Sequence, residues 1–253
     1  MLRRFSNRNM TLMTASIIPR TTQNNNAYIL YDESAITNPD IELFDPDQLN
    51  RHAEIIQIGT GRGSAWYVNA DKHQWVLRHY LRGGFISRFI IDTYWSASLN
   101  SSRSWHEWNL LKQLYTKGLP VPRPVAACVK RRFGFYHADI LVEKIANAQT
   151  MAEILGHRKL TSEEWENIAA TIKRFHDHGV YHADLNANNI LLNEEKEVYI
   201  IDFDRGQIRK PGPWKAANLI RLERSLNKIR NSQKQFLYQN SDWKILQNTY
   251  DKK

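Results

Sequence analysis

The chain has 253 residues, a formal net charge of +9 and a hydrophobic fraction of 42%, values that fit a globular protein with a sizeable core and exclude a disordered tail. A single cysteine, Cys128, excludes a disulfide framework, and no apolar run approaches the ~20 residues of a membrane span. The surplus of Lys and Arg indicates either an anionic partner or simply a solvated surface.

The first part of the chain predicts a loose extension followed by an antiparallel meander. Residues 1–26 are polar, Asn-rich and without hydrophobic periodicity, so we expect a loose N-terminal extension. Three short β-branched and aromatic runs follow, separated by Gly or by an Asn-Ala-Asp turn, which is typical of neighbouring antiparallel strands. The runs are AEIIQIG (53–59), SAWYVNA (64–70) and QWVLRHYL (74–81).

Residues 82–95 carry large apolar side chains at roughly helical spacing, with Arg82 and Arg88 nearby. Such a helix either meets an acidic membrane or an anionic lipid, or packs on the preceding sheet, and both interpretations stay open. The apolar residues are Phe85, Ile86, Phe89, Ile90 and Trp95.

The next elements are one helix, two strands and then mostly helices. Apolar residues at helical spacing predict a helix over 105–118, and strands are predicted over 125–131 and 139–145. Further on, Thr161 with Glu164 forms a capping box at the start of a helix, and helical patterns resume from residue 214. The order therefore predicts an α+β fold with a β-rich first half and a mostly helical second half.

A glycine-rich turn at Gly59, Gly61 and Gly63 lies between the first two predicted strands of the meander. Glycines also serve ordinary hairpins, but a Gly-rich hairpin that lies over phosphates is the protein-kinase arrangement. That arrangement requires a cation on the third strand and a carboxylate on the following helix. Arg78 and Glu107 meet both requirements, although kinases usually have Lys at the first position.

The tetrapeptide YHAD occurs twice, at 136–139 and at 181–184. The first copy precedes an apolar run, so we expect Asp139 at or near a strand end. The second copy is followed by Asn189 and by the pair Asp202-Phe203, which match the spacing of the kinase catalytic loop and the start of D-F-G. The second copy is therefore predicted to carry the chemistry.

Each of these residue types suits phosphoryl transfer. Asp184 can orient an acceptor hydroxyl and accept its proton, and His182 is expected to support the loop through hydrogen bonds. Asn189 and Asp202 offer the oxygen ligands that Mg²⁺ prefers. His176 and His178 are expected to be structural.

With these motifs, the chain resembles the protein-kinase-like superfamily and, within it, the bacterial 3-deoxy-D-manno-octulosonic acid (Kdo) kinases of the lipopolysaccharide kinase group. The resemblance covers residues 28–225, and Arg78 is normal in that group. Its supporting stretches are VLRHYLRGG (76–84), GLPVPRPVAA (118–127), YHADLNANNIL (181–191) and IIDFDRG (200–206).

The resemblance implies a bilobal kinase-like fold, with an N-lobe at 27–144 and a C-lobe at 145–253. It also implies ATP and Mg²⁺, and transfer of phosphate to a Kdo hydroxyl, at the 4-position, on a Kdo-bearing lipid A precursor. The place implied is the cytoplasmic face of the Gram-negative inner membrane, with peripheral contact. No nucleic acid is expected and no protein partner is implied.

Other features indicate a small or lipid-linked acceptor. Asn186 stands where protein kinases commonly have Lys, Asp204 replaces the D-F-G glycine, and no A-P-E segment follows. A heptose or aminoglycoside kinase of the same superfamily remains an alternative, as does a pseudokinase scaffold, which the three residues Asp184, Asn189 and Asp202 disfavour. Trp214, Arg221 and Arg224 line either an acceptor cleft or a surface helix.

Overall fold

A computed structural model describes residues 16–49, 54–57, 65–70, 73–80, 99, 102–132 and 135–252. The predicted α+β fold is confirmed, because an antiparallel sheet with one long helix precedes a mostly helical part. Two predicted features, the glycine-rich turn and the apolar segment 82–95, lie outside the described residues. Across the part of the chain that is described, no helix is long and apolar enough to cross a membrane.

Among the described residues, the first part of the fold forms a seven-stranded antiparallel sheet. Its strands are β1 (Pro19–Asn24), β2 (Ala27–Asp32), β3 (Glu54–Gln57), β4 (Ala65–Ala70), β5 (His73–Tyr80), β6 (Pro124–Arg132) and β7 (Phe135–Glu143). They lie side by side in the order β1-β2-β6-β7-β5-β4-β3. The predicted meander is β3-β4-β5, and a 3-10 turn (Ile41–Phe44) with the short helix α1 (Pro46–Leu49) precedes it.

The prediction of a loose extension is wrong for the residues that form β1. This strand pairs with β2 along its whole length, from Pro19 opposite Asp32 to Asn24 opposite Ala27. Asn25 has a φ of 49°, so the Asn-rich stretch is a hairpin turn in which asparagine tolerates the left-handed region. The strand escaped prediction because its side chains are mostly exposed at the sheet edge and show no apolar alternation.

The helix α2 (Arg103–Thr116) packs against β6 and β7 on one face of the sheet. Trp108, Leu111 and Leu114 are buried there, in a core that continues into the helical part. A second core covers the other face of the sheet, where Cys128 is buried beside Leu77 and Leu141. Burial raises the pKa of the Cys128 thiol to about 12, which fits a packing role.

The second part of the fold contains four helices and two small sheets. The helices are α3 (Met151–His157), α4 (Ser162–Asp177), α5 (Trp214–Ser232) and α6 (Asn240–Asp251). The strands are β8 (Gln149–Thr150), β9 (Val180–Tyr181), β10 (Ile190–Leu192), β11 (Val198–Ile200) and β12 (Gln207–Ile208). Strands β11, β10 and β8 form one sheet and β12 pairs with β9. The lobe boundary predicted at 144/145 falls in the stretch that joins β7 to β8.

Helix α4 begins at the predicted capping box, in which Thr161 accepts a hydrogen bond from the Glu164 amide and Glu164 returns one to the Thr161 amide. It ends just before Gly179, which has a φ of 74°. A Cβ atom at Gly179 would lie 2.6 Å from the Arg209 carbonyl oxygen, so only glycine allows the chain to turn directly into β9 and the segment that follows it.

Candidate active site

Strand β5 and helix α2 bring Arg78 and Glu107 together as predicted. Arg78 Nη1 donates to Glu107 Oε1 at 2.9 Å, and Nη2 of the same guanidinium donates to the Asp202 carboxylate. One side chain therefore connects the helix carboxylate to the predicted metal ligand. Arginine can do this because its guanidinium carries several donors in a planar fork.

Glu107 is fully buried and accepts hydrogen bonds from three groups. Besides Arg78, the Tyr80 hydroxyl donates to Oε2 and the Phe203 amide donates to Oε1 at 3.1 Å. Burial raises the pKa of the Glu107 carboxyl, and Arg78 opposes that rise. Sequence reasoning missed Tyr80, although residues two apart on a strand share a face and Tyr80 stands two after Arg78.

His182 holds the catalytic loop in the way the sequence predicted. Its Nδ1 accepts the Asp184 amide at 3.1 Å, so the ring donates from Nε2 to the Ile201 carbonyl at 2.9 Å. Burial lowers the pKa of His182, which keeps the ring neutral. Asn218 of α5 also holds the loop, accepting from the His182 amide at 3.2 Å and donating to its carbonyl at 2.8 Å.

Asn189 connects the chain at Asp184 to the chain just before Asp202, because its backbone carbonyl accepts the Ile201 amide at 3.0 Å. Asn189 donates from Nδ2 to the Asp184 carbonyl at 2.9 Å, so its amide oxygen stays available as a ligand. Asp202 has a φ of 65°, a costly conformation for a non-glycine residue that is typical of functional sites. Phe203 next to it is fully buried and stacks on Phe175, which fixes the position of the strained residue.

A cavity of about 560 Å³ lies between the large sheet and the helical part. Its polar end carries Arg78, Glu107, Asn189 and Asp202, while Val76, Val142, Leu191 and Ile201 contribute apolar walls. Such a cavity suits a nucleotide, with the base against the apolar walls and the phosphates at the charged end. Asp184 is exposed and is not among the residues that line the cavity.

The described residues include no group of three or more His, Cys, Asp or Glu that could hold a metal by themselves. Asn189 and Asp202 nevertheless fit Mg²⁺, which keeps several waters and is commonly bound by one or two carboxylates plus substrate phosphates. Asn189 and Asp202 both line the cavity, and their side chains offer an amide oxygen and a carboxylate. They are hard ligands of the right type.

Arg103 is a site residue that sequence reasoning did not find. It binds Asp204 with two nitrogens, Nε at 3.0 Å from Oδ1 and Nη2 on Oδ2. Three residues further along α2, His106 Nε2 donates to the Gly206 carbonyl at 2.8 Å. A signal was present, since Arg103 lies one helical turn before Glu107 and therefore on the same face of α2.

The first YHAD copy is structural, but not at a strand end as predicted. Asp139 lies in the middle of β7, and its carboxylate accepts a hydrogen bond from His79 on the neighbouring strand. The apolar run after Asp139 suggested a strand start, whereas the strand extends four residues before it.

His176 is buried, with its pKa lowered by burial to about 4, and Trp214 packs edge-on against it.

Similarity to known proteins agrees with this geometry. Residues 47–250 match the model of the lipopolysaccharide kinase (Kdo/WaaP) family. A protein from Vibrio vulnificus named 3-deoxy-D-manno-octulosonic acid kinase is 42% identical over 80% of this chain and 86% of its own length. A protein of the same name from Photobacterium damsela subsp. piscicida is 38% identical over 88% of this chain and 93% of its own length.

Among solved structures, the Cydia pomonella granulovirus kinase PK-1 matches with a TM-score of 0.43 and 11% identity, over 67% of this chain and 58% of that one. A match of this strength establishes neither a shared fold nor a shared activity. The family model, by contrast, spans strands β3 to β7 of the large sheet, α2, the loop around Asp184 and the segment after β11. The chain therefore belongs to the lipopolysaccharide kinase (Kdo/WaaP) family and is a phosphotransferase that acts on an alcohol group.

Proposed function

We propose that the chain transfers the γ-phosphate of ATP to a hydroxyl of Kdo, at the 4-position, on a Kdo-bearing lipid A precursor. The observation that carries this proposal is the exposed Asp184 carboxylate, whose backbone is bonded to Asn189 at the charged end of the cavity. An acceptor hydroxyl beside Asp184 would then lie next to nucleotide phosphates. The names of the similar proteins support Kdo as the acceptor.

In this proposal each residue has a separate task. Arg78, held by Glu107, binds nucleotide phosphate, and Asp184 orients the acceptor hydroxyl and accepts its proton. Asn189 and Asp202 would hold Mg²⁺, which neutralises charge on the transferred phosphate when bound. His182 and Asn218 keep the loop in place without touching the reacting atoms.

The surroundings of Asp184 support a small or lipid-linked acceptor over a peptide. Asn186 donates to the Asp184 carboxylate at 3.1 Å and takes the place of the lysine common in protein kinases. After Asp204 the chain reaches α5 at Trp214 through only the short strand β12, so little backbone is available to bind a peptide. We further propose peripheral contact with the cytoplasmic face of the inner membrane, for which the net charge of +9 is favourable.

The test is transfer of labelled γ-phosphate from ATP, with Mg²⁺, to a Kdo-bearing lipid A precursor and to the same lipid without Kdo. We expect label on the Kdo lipid alone and a fall of about 100-fold or more for Asp184→Asn, since general base catalysis is lost. Asp177→Asn, at an exposed surface ion pair, is the matched control and should retain activity.

Two outcomes would contradict the proposal. Equal labelling of the lipid without Kdo would mean that the acceptor hydroxyl is not on Kdo. Full activity of the Asp184→Asn variant would remove this carboxylate from the chemistry. The phosphorylated hydroxyl is identified separately by phosphorus–proton correlation in the NMR spectrum of the product.

A further inference from the structure

Asp184 makes an ion pair with an arginine on the acceptor side of the site. Arg221 Nη1 lies 3.3 Å from Asp184 Oδ1, and the two side chains are 52% and 62% exposed. The pair joins the catalytic loop to α5 across 37 residues of sequence. Arg78 and Arg103 bind other carboxylates, those of Glu107, Asp202 and Asp204.

The backbone position of Arg221 is fixed on both sides. Three residues before it, buried Asn218 bonds the amide and the carbonyl of His182. Four residues after it, the Ser225 hydroxyl accepts the Ala187 amide at 3.4 Å. These positions share one face of a helix, so α5 lies along the catalytic loop and holds the Arg221 backbone beside Asp184.

The side chain itself is weakly held. Its contact with Asp184 is a single long hydrogen bond, whereas charge-assisted bonds of arginine are commonly 2.7–2.9 Å and bidentate. Exposed pairs of this kind contribute little to stability. Arg221 can therefore exchange Asp184 for a carboxylate that it meets with both nitrogens.

The proposed acceptor brings such a carboxylate. An octulosonic acid carries its acid group and its hydroxyls on the same sugar, so the carboxylate must lie near Asp184 when a ring hydroxyl is in position. A second carboxylate beside Asp184 needs a cation next to it to offset the repulsion between the two negative charges. Within the part of the chain that the structure describes, Arg221 is the cation hydrogen-bonded to Asp184.

We propose that Arg221 binds the carboxylate of the acceptor sugar and thereby determines specificity for an acidic sugar, an inference that rests on the proposed function. Binding of the sugar carboxylate to Arg221 would position the acceptor hydroxyl and, in the same step, release the Asp184 carboxylate. A neutral sugar of similar size would leave Arg221 on Asp184. The residue is a specificity determinant that touches substrate, and it takes no part in proton transfer.

The test compares two acceptors, the Kdo-bearing lipid A precursor and the same lipid with the Kdo carboxyl converted to its methyl ester. For the unaltered protein we expect kcat/KM to fall roughly 10- to 100-fold on the ester, the effect of losing a hydrogen bond between charged groups. For Arg221→Gln we expect a similar fall on the acid and little change on the ester, so that discrimination between the two disappears.

Lys228→Gln is the matched control, because Lys228 is exposed on the same helix, seven residues further along. It removes one charge and should keep the discrimination of the unaltered protein. The KM for ATP should stay the same in both variants, which also verifies that they fold. Arg221→Lys, which keeps the charge and loses the fork, should recover part of the discrimination.

An equal loss on acid and ester in Arg221→Gln would overturn the inference, since Arg221 would then act on Asp184 alone. Unchanged discrimination in that variant would overturn it as well. Failure of the proposed function has a different signature: the unaltered protein, with its ATP binding intact, would label neither acceptor.

Discussion

Arg78 stands where kinases usually have lysine, and it makes two contacts that a single ammonium group reproduces poorly. Its two terminal nitrogens bind different carboxylates, Nη1 that of Glu107 and Nη2 that of Asp202. Burial alone would lower the pKa of Arg78, but Glu107, Tyr80 and Asp202 raise it, so the side chain stays charged. The Arg78 guanidinium therefore sets the distance between the Glu107 carboxylate on α2 and Asp202, the proposed metal ligand.

We expect Arg78→Lys to lower kcat/KM for ATP by roughly 10- to 100-fold, because one ammonium group cannot reproduce both charge-assisted contacts in the same geometry. Steady-state kinetics with varied ATP measure the effect. Arg20→Lys is the control, since Arg20 forms an exposed ion pair with Glu33. Unchanged kinetics in Arg78→Lys would mean that a point charge suffices at this position.

Sequence reasoning found the residues whose spacing is fixed by a motif and missed those that reach the site from elsewhere. Asp184, Asn189 and Asp202 stand at set distances along the chain. Tyr80, Arg103 and Asn218 are joined to their partners across 27, 101 and 36 residues. Spacing along the strand or helix could place Tyr80 and Arg103 on the correct face, but the partner of each side chain depends on how strands and helices meet in space.

At the scale of elements, helix α2 connects the site to the segment after Asp202. Glu107 bonds the Phe203 amide, Arg103 bonds the Asp204 carboxylate and His106 bonds the Gly206 carbonyl. In kinases the residue at the position of Asp204 is a glycine that permits the segment to change conformation. Here that residue is a bound carboxylate, so α2 and the segment are expected to move as one unit.

We expect Arg103→Gln to lower kcat by about 10-fold and to increase amide hydrogen exchange over residues 202–206, since one anchor of the segment is lost. Hydrogen exchange with mass spectrometry and kinetics measure the two effects. The double variant with Asp204→Asn should be no worse than the single variants, because both remove the same contact. Gln113→Ala, exposed on the same helix, is the control.

Additive losses in the double variant would contradict a direct contact between these side chains.

The same scale also explains where element prediction failed. The meander and the α4 cap carried local signals in their alternation and capping residues. Strand β1 carried none, because it is held mainly by hydrogen bonds to β2 at the sheet edge.

At the scale of the whole molecule, the N-terminal hairpin is joined to the fold by a buried ion pair. Asp32 is fully buried and accepts from Arg123 Nε at 3.0 Å and Nη2 at 2.6 Å. It also accepts from the Ile18 amide and from the amide and hydroxyl of Ser34. Every group that contacts this carboxylate is a hydrogen-bond donor, so both side-chain oxygens must act as acceptors.

We expect Asp32→Asn to lower the free energy of unfolding by about 3 kcal/mol, since it places an amide nitrogen among donors and leaves Arg123 short of its counter-charge. Urea denaturation followed by tryptophan fluorescence measures the change. Glu33→Gln, at the neighbouring exposed pair, should cost less than about 1 kcal/mol. Equal costs for both variants would contradict the role of burial.

The same carboxylate makes a pH-dependent contribution. Burial alone would raise the pKa of Asp32, but hydrogen bonds from Ser34, Ile18 and Arg123 lower it below the ordinary value of 3.8. A lowered pKa in the folded state means that the stabilisation is complete above that ordinary value and is lost as the pH falls through the folded-state pKa. Asp32→Asn should remove this part of the acid sensitivity.

The hairpin formed by β1 and β2 affects the choice of N-terminal boundary for a recombinant fragment of this protein. The family similarity begins at residue 47, after both strands, yet β2 pairs directly with β6. A recombinant fragment trimmed to the similarity would leave the backbone of β6 as an open edge, free to pair with another molecule. Domain limits drawn from sequence similarity would here replace the short polar edge strand β1 with the longer strand β6, and the new edge would be a site of self-association.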